Sequence, residues 1–262
     1  MTQLNSVIRS IELALCQYEG SLQPAEQVAI QRIAEILFTS QLNEDTAAIL
    51  STILETGGLG RRWNRILDCQ RATRIADQLC QIIPLNSPKV LDLFSGTGTV
   101  GTALLERGWD VVAVEKKMFP HSEAGSLQCF DYEYCRDSNF FSESEFDVVL
   151  IVTSLHHEPD LDEVLGWITQ LKTKRIVVVE NLRCESITAN IHCRFDWFFN
   201  HCLNDFHAPC PGWYWTQGQW EACLSTLGSP NWLLRDEAIP GIPFPYDYFM
   251  VIPKHILESN IL

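Results

Sequence analysis

The chain has 262 residues, of which 46% are hydrophobic and 20% charged, which suits a globular protein with one catalytic domain and an appendage or one large domain. It has neither an apolar run of membrane-helix length nor a secretory signal at its start, so we expect a cytoplasmic protein without a membrane partner. The formal net charge of −14 disfavours nucleic acid, whose phosphates are normally neutralised by Lys and Arg. The 10 cysteines include no CxxC pair, which indicates reduced thiols.

Residues 1–83 have the pattern of packed helices. Pro24 stands where a helix can begin, Asn43 is a candidate N-cap, and Gly57 and Gly58 are expected to end that helix. We interpret this region as an N-terminal helical cap. Its role is left open between a lid over a substrate pocket, a homodimer surface and packing alone.

The chain changes character after residue 83. Runs rich in Val, Ile and Leu predict buried parallel strands, and they lie at 90–94, 111–115, 147–152 and 175–180. Helical patterns between the runs predict right-handed crossovers and a doubly wound α/β fold for residues 84–262. A helix at 217–227 and two further strands are predicted after that.

A glycine-rich turn follows the first of these strands, in the sequence VLDLFSGTGTVG. Gly96 and Gly98 permit positive φ and close approach of the backbone to a ligand. The spacing of Gly96, Gly98 and Gly101 also matches the dinucleotide fingerprint, so an NAD-dependent oxidoreductase is an alternative. Asp92 favours another ligand, because a carboxylate there repels a pyrophosphate but suits a cationic amino acid. Glu115, which ends the next strand, can accept both hydroxyls of a ribose.

Here the chain resembles the class I S-adenosylmethionine-dependent methyltransferases, although the usual first glycine of their loop is Phe94. The resemblance covers residues 88–182 well and the C-terminal strands in outline. It implies a Rossmann-like, mostly parallel seven-stranded sheet and S-adenosylmethionine as the cofactor. It places Glu115 at the ribose, Asp131 at the adenine amino group, and Phe130 or Tyr132 beside the adenine ring. The implied cofactor residues are Asp92, Phe94, Ser95, Gly96, Thr97, Gly98, Glu115, Lys116, Phe130, Asp131 and Thr153.

The loop TSLHHEPD at 153–160 faces the methyl donor in this family. It lacks the Asn/Asp-Pro-Pro-aromatic tetrad of enzymes that methylate base nitrogens or glutamine amides, and it is similar to the loop of many small-molecule methyltransferases. His156 or His157 is the first candidate for a general base, because an oxygen or ammonium acceptor must lose a proton and histidine titrates near neutral pH. The alternative is a loop histidine that packs on the cofactor or caps the next helix.

A second group of candidates lies later in the chain. The run DFHAPCPGWYW holds prolines and a glycine that exclude a regular helix, so we predict an aromatic loop lining the acceptor pocket, or else a hydrophobic layer under a long loop. His207 is a further candidate base. The predicted substrate contacts are Glu180, Asn181, Trp213, Tyr214 and Trp215. No metal is predicted: a zinc site usually needs closer cysteine pairs, and the stretch 192–210, although rich in His and Cys, is interpreted as packing and substrate contacts.

These observations favour a methyltransferase that acts on an oxygen or nitrogen of a small molecule or short peptide. The DLFSGTG form of the loop also occurs in RNA and DNA methyltransferases, and an arginine cluster would suit RNA. That cluster, otherwise the polar side of a helix, consists of Arg61, Arg62, Arg65, Arg71 and Arg74. A fold that binds the cofactor or a partner without turnover is the remaining alternative.

Overall fold

The structure is a computed structural model in which the chain forms two compact units, and each is described by itself. The residues described are 3–116, 127–183, 188–203 and 208–259. The helical unit comprises Met1–Arg74, Asn181–Tyr214 and Asp236–Pro245. The sheet unit comprises Ile75–Glu180, Trp215–Arg235 and Tyr246–Leu262. Each unit is therefore assembled from three separate stretches of the chain.

The N-terminal part of the chain is helical, as predicted. Asn43 caps a helix by accepting a hydrogen bond from Thr46 N at 2.9 Å, and Gly57 follows the end of that helix. The helices in chain order are α1 Gln3–Glu19, α2 Pro24–Thr39, α3 Glu44–Thr56, α4 Leu59–Arg65, a π-helical segment Ile66–Arg71, and α5 Ala72–Ile82. The pattern predicts one helix where α4, the π-helical segment and α5 are found, because a π turn leaves no signature in hydrophobic spacing.

The helical unit has a hydrophobic core of its own. Helix α9 (Ala189–Phe198) and the π-helical turn Phe199–Leu203 that continues it contribute to the same core as the N-terminal helices. Trp63 is fully buried in this core, where its ring packs edge-to-face with those of Phe198 and Phe199 at centroid distances of 5.6 and 5.7 Å. Its indole N–H donates to Gly241 O at 2.8 Å. Distant stretches of chain thus supply the apolar partners that the N-terminal helices need.

The sheet unit is built on seven strands, which confirms the predicted fold class. The order across the sheet is β3-β2-β1-β5-β7-β9-β8, and β1 is parallel to β2 and β5, β2 to β3, and β5 to β7. The strands are β1 Lys89–Leu93, β2 Asp110–Glu115, β3 Gln128–Asp131, β5 Val148–Val152, β7 Ile176–Asn181, β8 Gly228–Asp236 and β9 Tyr246–Pro253. Continuous apolar sequence fits strands buried on both faces.

The remaining elements of the sheet unit connect these strands. A separate two-stranded parallel sheet, β4 Glu145–Phe146 with β6 Lys172–Thr173, is not indicated by the sequence pattern. The helices are α6 Thr99–Leu105, α7 Tyr132–Asp137, α8 Leu161–Ile168, α10 Gln217–Leu224 and α11 Lys254–Ser259. Thr216 forms the N-cap of α10 with a capping box, at the start of the helix predicted for 217–227.

The strand order locates the place where a ligand is expected. From β1 the chain winds outward through β2 and β3 and then returns to the other side of β1 as β5. The gap between β1 and β5 is therefore the topological switch point of the sheet, where open α/β sheets bind ligands at the carboxyl ends of their strands. The loops that follow β1 and β5 flank this gap.

Across the described part of the chain, no helix combines the length and the apolar character needed to cross a lipid bilayer.

Candidate cofactor and acceptor site

The loop after β1 is tightly folded, and Phe94 takes a glycine-like conformation within it. Phe94 has φ of +56°, close to the +57° of Gly96. The backbone N–H groups of Phe94 and Ser95 both donate to Val114 O, at 2.7 and 3.3 Å. A left-handed conformation costs a non-glycine residue about 1–2 kcal/mol. The backbone of this chain thus keeps the turn that a first glycine would form, at an energetic cost.

Asp92 lies on β1 just before this loop and is completely buried. Burial, followed by repulsion from the nearby Glu115 carboxylate, raises the pKa of Asp92 to about 7. Within the described residues, its Oδ2 atom has no hydrogen-bond partner. An unsatisfied buried polar atom is rare in folded proteins and calls for an explanation such as a ligand.

Glu115 ends β2 beside Asp92 and is held in a fixed position by two backbone groups. Gly96 N donates to Glu115 Oε2 at 2.6 Å, and Lys116 N donates to Glu115 Oε1 at 2.7 Å. The carboxylate is therefore oriented by its own chain.

The predicted adenine contacts lie on and after β3. Asp131 is the register partner of Glu115, but its Oδ1 accepts a hydrogen bond from Tyr134 N at 2.8 Å and so caps α7. Phe130 packs against Phe140, with ring centroids 4.9 Å apart. Asp131 therefore has a structural role as a helix cap, and Phe130 has one in packing. Contact of either residue with an adenine stays a prediction.

The other predicted loop residues have local contacts. Thr97 Oγ1 lies 3.4 Å from Thr99 Oγ1, and Gly98, with φ of +74°, is the N-cap of α6. The Nζ atom of Lys116 forms an ion pair with Glu158. Glu158 belongs to the loop after β5 and is a site residue that the sequence did not single out.

The loop after β5 is anchored to the end of β7 by Glu180. Thr153 has φ of +49° and donates from its N to Val179 O at 2.7 Å. A 3-10 turn, Leu155–His157, follows. The Oε1 atom of Glu180 accepts hydrogen bonds from Ser154 N and Leu155 N, at 3.1 and 2.8 Å.

The second carboxylate oxygen of Glu180 contacts a candidate base. Glu180 Oε2 lies 2.7 Å from His156 Nδ1, and both side chains are fully buried. An ionised carboxylate only accepts hydrogen bonds, so with Glu180 in that form Nδ1 of His156 is the donor, and a neutral imidazole then has its lone pair on Nε2. The half-buried ring of His157 lies 4.0 Å from that of His156. The sequence predicts Glu180 as a substrate contact, and in the structure its carboxylate contacts His156.

The predicted aromatic loop is irregular over residues 208–216, as expected, but His207 lies outside the described residues. In the helical unit, Tyr214 O–H donates to Asp196 Oδ2 at 2.7 Å, and its ring stacks on His192 at 4.5 Å. Asp196 also accepts from Cys210 Sγ at 3.2 Å. This buried polar network was not predicted, since only tertiary packing brings its members together.

The remaining predicted substrate residues are distributed between the two units. Asn181, at the end of β7, is buried, and Trp213 is half-buried; both belong to the helical unit. Trp215 belongs to the sheet unit and packs edge-on against Trp220 at 4.8 Å. Contact of these side chains with a substrate stays a prediction.

Comparison with known proteins identifies the fold. No protein-family model matches the chain, and no curated protein sequence matches it. Among solved structures, a cyclopropane-fatty-acyl-phospholipid synthase-like protein from Lactobacillus casei ATCC 334 is similar with a TM-score of 0.54 and 10% identity, over 73% of this chain and 92% of that one. The CurJ carbon methyltransferase is similar with a TM-score of 0.51 and 13% identity, over 96% and 91%.

A third structure, EvdMO1, is matched over 42% of its length and 72% of this chain, with 12% identity and a TM-score of 0.43. At these identities the similarities show a shared fold: the chain is folded like the cyclopropane-fatty-acyl-phospholipid synthase-like protein and the CurJ carbon methyltransferase.

Proposed function

We propose that this chain is a S-adenosylmethionine-dependent methyltransferase that acts on an oxygen or nitrogen of a small molecule or short peptide. The observation that supports this most directly is the buried acid pair, Asp92 and Glu115, at the carboxyl ends of β1 and β2. The pair lies beside the topological switch point, where this class of fold binds ligands. We also propose that residues 1–83 form a cap and residues 84–262 a methyltransferase domain.

The acid pair fits this cofactor better than a dinucleotide. The unsatisfied Oδ2 of Asp92 suits an ammonium group, whereas it would repel a pyrophosphate. The carboxylate of Glu115 suits the two ribose hydroxyls, since each of its oxygens can accept more than one hydrogen bond. When bound, S-adenosylmethionine supplies an electrophilic methyl group on a sulfonium. An NAD-dependent oxidoreductase, the alternative that the glycine spacing leaves open, has no such use for Asp92.

On the acceptor side, His156 is the preferred general base. Glu180 holds its Nδ1 at 2.7 Å, so that Nε2 of the neutral imidazole accepts a proton from an acceptor hydroxyl or ammonium. His157 and His207 remain candidates. The absence of the Asn/Asp-Pro-Pro-aromatic tetrad supports a small acceptor over a nucleic-acid base.

The arginine cluster gives little support to an RNA methyltransferase. Arg62 pairs with Glu26 at 2.9 Å and donates to Gly20 O at 2.7 Å, while Arg74 pairs with Asp236 at 2.8 Å. Guanidinium groups engaged in this way contribute less to phosphate binding. Together with the net charge of −14, this favours a substrate other than nucleic acid.

The assembly and compartment are also proposals. We also propose a homodimer through the N-terminal helices, on which the apolar side chains Leu13, Val28 and Ile49 are more than half exposed. Nine cysteines in the described residues are free, which supports the reducing environment of the cytoplasm.

Calorimetric titration with S-adenosylmethionine, S-adenosylhomocysteine and NAD tests the reaction class. We expect the first two to bind and NAD not to bind. Binding of NAD alone would mean that the glycine loop serves a dinucleotide. Binding of none of the three would mean that the protein has the fold but does not bind the cofactor. Binding of NAD alone and binding of none of the three would each overturn the proposal.

Gly101 supplies a second prediction, because it lets α6 approach β1 closely. A Cβ atom at Gly101 would lie 2.9 Å from Asp92 Oδ2 and 3.0 Å from Leu127 Cδ2. We expect Gly101→Ala to displace the Asp92 carboxylate, to weaken S-adenosylhomocysteine binding about tenfold, and to cost about 1–3 kcal/mol of stability. Calorimetry and denaturant unfolding measure both.

The matched control is Gly166→Ala in α8, where an added Cβ meets nothing within 4 Å. There we expect unchanged affinity and a gain in stability of about 0.5–1 kcal/mol from helix propensity. Equal affinity in the two variants would contradict the placement of Asp92 at the ligand.

A further inference from the structure

Lys116 connects the cofactor side of the sheet unit to the acceptor loop. It follows Glu115 directly, and its backbone N–H donates to the Glu115 carboxylate at 2.7 Å. Its ammonium group forms an ion pair with Glu158 and lies over two aromatic rings, 5.3 Å from the centroid of Phe94 and 5.0 Å from that of Tyr132. These distances are within the range of cation–π attraction. The ammonium is therefore fixed by three side chains.

Phe94 contributes its ring to this arrangement although its backbone conformation is unfavourable for a residue other than glycine. Phe94 occupies the position of the usual first glycine, with φ of +56°. Its side chain is buried, and its ring packs on Tyr132 at 5.1 Å. A residue stays in such a conformation only when its surroundings determine it, and such residues cluster at functional sites. A glycine at this position would form the turn without strain, but it would lack the contacts that the Phe94 ring makes with Lys116 and Tyr132.

Glu158 is the point at which the ion pair holds the acceptor loop. Its carboxylate is buried, and burial raises its pKa while the ammonium of Lys116 lowers it. Its backbone N–H donates to Leu155 O at 3.1 Å, which closes the 3-10 turn containing His156 and His157. Without the ammonium, a buried carboxylate would have to move or take up a proton.

We propose that Lys116 and Phe94 are positioning residues that hold Glu158, and through it the turn of His156 and His157, from the cofactor side of the site. Their role in catalysis rests on the proposed function, whereas the restraint on the loop does not. In this role Lys116 holds Glu158, whereas the family resemblance implies that it contacts the cofactor directly. In this arrangement, Glu180 anchors the start of the turn and Lys116 anchors its end.

Amide hydrogen exchange of the full chain tests this restraint without an acceptor. The reporters are the amides of His157 and Glu158, which donate to Ser154 O and Leu155 O at 3.0 and 3.1 Å. We expect about tenfold faster exchange at these amides in Lys116→Met, Glu158→Gln and Phe94→Gly, because local opening no longer breaks a charged contact. Lys116→Arg, which keeps the charge, is expected to restore exchange to within about threefold of the wild type.

The matched control is Lys172→Met, which removes an exposed ion pair with Glu143 and is expected to leave the reporter amides unchanged. Calorimetry with S-adenosylhomocysteine accompanies each variant, and we expect Lys116→Met to change its affinity by less than about threefold. Unchanged exchange in both Lys116→Met and the near-isosteric Glu158→Gln would overturn the proposal.

Two further outcomes are separable from these. A large loss of affinity in Lys116→Met with unchanged exchange would establish Lys116 as a cofactor contact and also overturn the proposal. If the wild type fails to bind S-adenosylhomocysteine, the proposed function fails, while the exchange rates still decide whether the loop is held.

Discussion

Asp92→Asn is expected to abolish cofactor binding and at the same time to stabilise the ligand-free protein. The substitution removes the negative charge that suits an ammonium group but preserves the volume of a fully buried side chain. We expect the dissociation constant for S-adenosylmethionine to rise about 100-fold or more, since a charge-assisted contact in a buried site is lost. Calorimetry at pH 8 measures this effect, and denaturant unfolding under the same conditions measures stability.

The gain in stability has a defined dependence on pH. The usual pKa of an aspartate is 3.8, and in the folded protein that of Asp92 is raised to about 7. Between these values the native state keeps a proton that the unfolded state has released. The stability associated with the neutral carboxyl is therefore fully present below pH 3.8 and is lost as pH rises to about 7. Above that pH the buried charge costs on the order of 4 kcal/mol, which sets the upper limit of the gain.

The same titration predicts a pH dependence of binding. Because Asp92 is protonated below about pH 7, wild-type affinity for S-adenosylmethionine should weaken as pH falls from 8 to 6. The variant should show no such change. The control is Asp110→Asn, which removes the charge of an exposed residue at the start of β2. It shows how much the loss of one negative charge away from the site changes the affinity. An unchanged affinity in Asp92→Asn would remove the site assignment altogether.

Sequence patterns predicted the parts of this molecule that depend on local order. Buried strands have continuous apolar sequence, and Asp92 and Glu115 stand at strand ends that parallel pairing must bring together. Asn43 caps its helix because a side-chain oxygen and a backbone N–H three residues later suffice. These features need no knowledge of the rest of the fold.

Other features depend on contacts between distant residues and could not be predicted in this way. Glu180 and His156 are 24 residues apart, and their pairing requires the register of β5 on β7. The role of Lys116 depends on the direction of one flexible side chain, toward Glu158 and two rings. Residues 189–203 pack with the N-terminal helices in one hydrophobic core, and local spacing does not indicate which distant segment joins that core.

The second large effect is expected for Glu180→Gln, which tests whether the Glu180–His156 pair prepares a general base. The glutamine carbonyl can still accept the hydrogen bonds from Ser154 N and Leu155 N that Glu180 Oε1 accepts now. Its NH2 group then faces His156 Nδ1, where the carboxylate oxygen lies at 2.7 Å. Because an amide nitrogen only donates, Nδ1 becomes the acceptor and the imidazole proton moves to Nε2. The fold is retained, and the lone pair needed to take a proton is lost.

Nitrogen-15 NMR of the histidine side chains detects this exchange of tautomers directly, without a known acceptor. We expect the His156 signals to change from the Nδ1–H form in the wild type to the Nε2–H form in Glu180→Gln, with S-adenosylhomocysteine affinity unchanged. Turnover should fall by about 10²- to 10⁴-fold, the usual contribution of general base catalysis. Glu163→Gln, the same change at an exposed residue of α8, should leave both the tautomer and turnover as they are. If turnover persists while the tautomer changes, His156 is not the base, and His157 and His207 become the residues to test.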